Sequence, residues 1–170
     1  MFYCFQKLSE FEVLNLEKKL DFKFSYSYKS FLLNYGGIYI DHQNYATFSV
    51  EFLDDSLVEI LKIFKPEELI EINNEYLPEI KDFLDCIIIA EDPGGNFFLL
   101  DNFGKIYYWD RTLIHVHISD FNRKIPVILN GDDSCEEVAI YFLFPEFDDF
   151  FAILEKASME QKSPFTFKGI

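Results

Sequence analysis

The chain has 170 residues and a formal charge of −15, from 15 Lys and Arg against 30 Asp and Glu. That length suits one domain and buries roughly 70% of the unfolded surface, enough for a core without metals or disulfides. The charge argues against DNA, RNA or an anionic membrane as a partner, because phosphate contacts need clustered Lys and Arg, and it would attract a basic protein.

The 21 Phe and 10 Tyr fit an AT-rich coding sequence better than an aromatic binding surface. Only Arg111 and Arg123 are arginines, and alanine is scarce as well. Cys4, Cys86 and Cys135 are scattered without a Cys-x-x-Cys spacing, so neither a zinc site nor a redox motif is expected. Residues 1–12 lack the apolar stretch of a signal peptide, and no apolar run reaches the roughly 18 residues of a membrane span. A cytoplasmic protein is the expectation.

In chain order, Ser9 and Glu12 spell a capping box that opens a helix running to Leu20. Leu8, Phe11, Val13, Leu14, Leu16 and Leu20 supply its apolar face. A second helix runs from Ser25 or Ser27 to Tyr35, with Tyr28, Phe31, Leu32 and Tyr35 on one side. Gly36-Gly37 ends it, because glycine takes the left-handed cap without strain. Ile38–Ile40 and Ala46–Val50 read as strands. Residues 54–64 read as a helix capped by Asp54 or Asp55. Pro66, with Glu67 and Glu68 at the positive end of the dipole, opens a helix to about Tyr76, and Pro78 a short turn.

Ile87–Ala90, Phe97–Leu100 and Lys105–Trp109 read as an antiparallel meander. Its turns are Asp92-Pro93-Gly94-Gly95-Asn96 and Asp101-Asn102-Phe103-Gly104. Gly94 and Gly95 permit the first reversal, and Asn96 tolerates a left-handed conformation. Leu113–Ile118 alternates, with His115 and His117 on one face. Ile125–Leu129 and Val138–Phe144 are further strands, separated by the polar stretch 130–134. The closing helix begins near Pro145, buries Phe147, Phe150, Phe151 and Leu154, and leaves 158–170 as a loose tail. The class is α+β: a single domain over 1–157, with helices flanking a mainly antiparallel twisted sheet.

Little in this pattern carries catalysis. Gly94-Gly95 joins two strands rather than a strand and a helix, so it is a hairpin and not a phosphate loop. His115 and His117 can ligate a metal with Asp110 or Asp120, but the same pair suits a solvated strand face. No nucleophile motif is present. Trp109 sits mid-strand and reads as core. Acids are so numerous that no pair stands out as an acid/base dyad. The cluster Asp132, Asp133, Glu136 and Glu137, joined by Glu91 and Asp92, is the candidate acidic face for a basic partner, set against a plain solvated loop. No metal and no cofactor are assigned.

Three stretches in order carry a resemblance: Tyr28-Lys29-Ser30-Phe31-Leu32-Leu33-Asn34-Tyr35-Gly36-Gly37, then Ile88-Ile89-Ala90-Glu91-Asp92-Pro93-Gly94-Gly95-Asn96-Phe97, then Gly104-Lys105-Ile106-Tyr107-Tyr108-Trp109-Asp110. Together with the Phe-rich closing helix they cover most of residues 8–155. The chain resembles the SUKH superfamily, the domain of fungal cell-wall assembly regulators, the bacterial Syd protein and many toxin-immunity proteins. It departs from that pattern at Phe24-Ser25, where Leu-Pro is common, at Arg111-Thr112, where His-Glu is common, and at Ile125–Val138, which looks like an insertion. The resemblance implies binding without turnover: an immunity protein that captures a cognate toxin such as a basic nuclease, or else a scaffold or regulator that binds a host protein. An enzyme using the His115/His117 face is the third reading.

Overall fold

The computed structural model describes residues 2–41, 46–49, 57–111, 139–160 and 165–167. Eight strands form one sheet. They are β1 (Phe2–Cys4), β2 (Ile38–Ile40), β5 (Lys62–Ile63), β6 (Cys86–Glu91), β7 (Phe97–Asp101), β8 (Ile106–Asp110), β9 (Ala139–Phe144) and β10 (Phe165–Phe167). Their order across the sheet is β10-β1-β2-β5-β6-β7-β8-β9, with β3 (Ala46–Ser49) and β4 (Leu57–Ile60) as a separate hairpin. Every pairing is antiparallel except β1 with β10. Helices α1 (Glu10–Leu20), α2 (Tyr26–Tyr35), α3 (Pro66–Tyr76) and α4 (Phe147–Glu160) complete the α+β domain.

The sheet is covered on both faces. Phe97 and Phe98 are neighbours on β7 and so point to opposite sides. Phe97 meets Tyr76 of α3, and Phe98 meets Phe150 of α4. Two-sided burial explains why β6 and β7 read as continuous apolar runs instead of alternating ones, with all five residues from Cys86 to Ala90 buried. Asn73 of α3 is also buried. Its amide donates to the Ile88 carbonyl and accepts from the Ile88 N–H, both at 2.8 Å. That exchange lies where the β6–β7 register shifts between Ile88 and Ala90, so a side chain serves backbone groups at the irregularity. On the other side, Tyr28 and Phe31 of α2 pack on Phe147 of α4.

Most expected elements are present. Ser9 caps α1, and the reciprocal bonds with Glu12 complete the box. Ser25 caps α2, and Gly36 closes it in the left-handed region. Four expectations change. Within the helix expected over 54–64, residues 57–64 hold β4 and β5. Val58 and Ile60 are buried between the exposed Leu57 and the half-buried Glu59, a period of two that β-branched residues favour. The loose tail expected from 158 begins as the last turn of α4, and residues 165–167 then pair with β1. Asn96 is not left-handed: Gly95 takes the positive φ of 82° and Asn96 contributes its side chain. On α1, only Val13, Leu16 and Glu17 are buried, while Phe11 and Leu14 face solvent. The strands Leu113–Ile118 and Ile125–Leu129 lie outside the described residues. No described helix is long and apolar enough to cross a membrane.

Glu17 is the acid among the buried residues of α1. It accepts from the Phe24 N–H at 2.9 Å and pairs with Lys29 at 2.9 Å, so one carboxylate ties α1, the connecting loop and α2 together. Burial alone would raise its pKa, but Lys29, the Phe24 N–H and Lys23 outweigh it and hold the group below the ordinary 4.5. A depressed folded value means the stabilisation is complete above pH 4.5 and is lost as the pH falls through the folded pKa. Urea midpoints taken from pH 7 down to 3 should therefore fall less steeply in Glu17→Gln, which should also be about 1–2 kcal/mol less stable at pH 7. Superimposable acid limbs for variant and parent would rule out this role for Glu17.

Candidate interaction surface

Two consecutive hairpins share one plan, Asp-x-x-Gly. In the β6–β7 turn the Asp92 N–H donates to the Asn96 carbonyl, and the Gly95 N–H to the Asp92 carbonyl. In the β7–β8 turn Asp101, Gly104 and Lys105 repeat those bonds. Each aspartate then accepts from the N–H groups two and four residues on. Asp92 takes Gly94 and Asn96 at 2.7 and 2.9 Å, and Asp101 takes Phe103 and Lys105 at 2.9 and 2.8 Å. Each is also met by a tyrosine of β8: Tyr108 donates to Asp92 at 2.7 Å, and Tyr107 to Asp101 at 3.2 Å. Burial and the adjacent carboxylate raise both phenols, Tyr107 to about 12 and Tyr108 beyond the usual range.

Asn96 completes the first turn by donating to Asp92 at 2.9 Å and accepting from the Arg111 N–H at 2.8 Å. The Arg111 guanidinium lies 4.3 Å from the Tyr76 ring centroid, 5.1 Å from that of Phe97 and 5.4 Å from that of Trp109. A cation over ring faces is favourable, and here the rings also desolvate it. Glu79 reaches the same guanidinium at 3.9 Å. Trp109 itself is core, as its sequence position suggested.

This geometry sorts the acidic residues singled out from sequence. Asp92 is buried and spends both carboxylate oxygens inside the turn, so it is a fold residue and not part of an exposed face. Glu91 ends β6 half-buried and pairs with Lys62 at 3.2 Å. Asp132, Asp133, Glu136 and Glu137 lie outside the described residues, as do His115 and His117. Among the described residues no group of three His, Cys, Asp or Glu side chains is placed to hold a metal.

The sequence reading missed an acidic row on α3. Glu67, Glu71 and Glu75 recur every four residues, so they share one side of the helix, and all three are exposed. Glu79 continues past the helix end, also exposed. The i, i+4 spacing was visible, but the first acids were read only as complements to the dipole. Lys62 bridges Glu68 of α3, at 3.5 Å, and Glu91 of β6. The start of the acidic helix therefore lies beside Glu91.

No curated protein matches the chain. A family model does, that of the SMI1 / KNR4 family (SUKH-1), over residues 7–153. That span takes in all four helices but the end of α4, and both Asp-x-x-Gly hairpins. The chain belongs to the SMI1 / KNR4 family, SUKH-1.

Proposed function

We propose that this domain is an immunity protein that captures a cognate, basic toxin domain in the cytoplasm and blocks it. Family membership supports a protein-binding role of the immunity or regulatory kind in general. The observation that carries the finer reading is the exposed row Glu67, Glu71 and Glu75 on α3, on a chain of net charge −15. Like charges held on one helix face cost stability and favour an oppositely charged partner. Glu91, Asp132, Asp133, Glu136 and Glu137 extend this proposed face, and Asp92 supports it from within. Binding by charge needs no catalytic group, cofactor or metal.

The test begins with affinity capture at low and moderate salt, followed by association kinetics on the recovered partner. Glu67→Lys/Glu71→Lys/Glu75→Lys should slow association on the order of tenfold at low salt and flatten its salt dependence. Melting temperature should stay within a few degrees, since the row is on the surface. A basic toxin domain whose association rate ignores these changes would remove the acidic-face reading. Recovery of a housekeeping protein instead would favour the regulatory role of the family.

A further inference from the structure

α1 carries two apolar stripes, and the fold buries only one. Val13 and Leu16 go into the core, whereas Phe11 is 71% and Leu14 49% exposed. On α2, Tyr26 is 88% exposed. The Leu8 N–H donates to the Leu32 carbonyl near one end of the pair, and Glu17 meets Lys29 toward the other, so the two helices run antiparallel. The groove between them has a volume of about 280 Å³ and an apolar lining that includes Leu14, Tyr26 and Leu33. That is below the roughly 300–1,000 Å³ of small-molecule sites. It has room for a few side chains of a partner rather than for a buried ligand.

The groove's charge narrows the occupant. Two charged residues line it, Glu10 and Lys29. Lys29 is already neutralised by Glu17 at 2.9 Å. Glu10, exposed at the other end, has no cation beside it among the described residues. The uncompensated charge of the lining is therefore negative, which disfavours a second copy of a −15 chain and favours a cationic segment. Two antiparallel helices with a furrow between them accept a third helix, ridge into groove.

We infer that the α1–α2 groove docks an amphipathic helix of a cationic partner, its apolar residues seated against Leu14, Tyr26 and Leu33 and a basic residue at Glu10. This rests on the proposed capture of a basic protein and assigns its apolar anchor to a surface other than the acidic row of α3. Exposed aromatics of this kind supply most of the energy at protein interfaces, while charges mainly set rate and specificity.

The experiment uses the full chain and three fluorescent helical peptides read by anisotropy. The first has Leu at i, i+3, i+4 and i+7 with Lys elsewhere; the second replaces Lys with Glu; the third replaces Leu with Ser. The first should bind at least tenfold more tightly than either control. Leu14→Ser/Tyr26→Ser should weaken it about tenfold and Glu10→Lys severalfold, with melting temperatures within a few degrees of the parent because all three positions are exposed. Equal binding of the first peptide by Leu14→Ser/Tyr26→Ser, or equal binding of the Glu peptide by the parent, overturns the inference. So does a concentration-dependent dimer in sedimentation that Tyr26→Ser abolishes, which would make a second copy the occupant. The α3 charge-reversal variant separates the two claims: it should retain the groove's peptide preference even if the acidic row proves idle.

Discussion

Gly36→Ala is expected to cost about 3–5 kcal/mol, from left-handed strain and overpacking together. Gly36 closes α2 at φ 67°. A Cβ there would overlap the carbonyl oxygen of Gln6, a backbone atom with no rotamer to escape into. The same segment is pinned on both sides, by the Phe5 N–H to the Gly37 carbonyl and the Leu8 N–H to the Leu32 carbonyl. It cannot retreat without loosening the end of β1 or the start of α1. Against the roughly 5–15 kcal/mol that holds a typical domain together, the loss leaves the variant near its threshold. Gly95→Ala is the control. Gly95 also has positive φ, at 82°, but a Cβ there meets nothing within 4 Å. It should lose only about 1 kcal/mol. Urea denaturation of both variants decides the point: equal losses would mean that backbone strain, and not the Gln6 contact, dominates at Gly36.

Asp92→Ala should follow closely, at about 3–4 kcal/mol and a fall in melting temperature on the order of 10 °C. Four donors lose their acceptor at once: the Gly94 and Asn96 N–H groups, the Asn96 amide and the Tyr108 hydroxyl. Gly94 is exposed and can turn to water, but Asn96 and Tyr108 are buried, and a buried polar group left unpaired bears its full desolvation cost. Tyr108→Phe removes one donor and should cost about 1–2 kcal/mol. In the double variant the two losses should not add, because they share a bond. A thermal scan of the four proteins gives the coupling. Asp92→Ala melting with the parent while binding of a basic partner weakens would return Asp92 to the exposed face.

What the sequence made legible was whatever its local chemistry encodes. The Ser9–Glu12 box, the Gly36 cap, the Pro66 start of α3 and the two Asp-x-x-Gly turns depend on residues within a few positions of one another, and each is found in place. The SUKH resemblance rested on three of these stretches and held for the same reason. Features set by tertiary neighbours were illegible. β1 and β5 are three and two residues long, too short to show a period. Phe11 and Leu14 fit a helical apolar face equally well whether or not anything covers it. Asp92 looked like a surface acid because its partner Tyr108 stands 16 residues away, and only the β6–β7–β8 register brings them together. The acidic row on α3 was the avoidable omission, since its spacing lies within one helix.

The parallel pairing of β1 with β10 joins Phe2 to Phe165 and Cys4 to Phe167. β6, β7 and β8 form from a single local meander, whereas this edge requires the ends of the described chain to find each other. Closing so long a loop costs the most entropy of any contact in the sheet. It is therefore expected to form late, an order that folding and unfolding rates of a β1 variant would test. Interactions made that late leave the folding rate nearly untouched and act on the rate of unfolding. On that order, loss of the β1–β10 pairing should shorten the lifetime of the folded state more than it slows its formation.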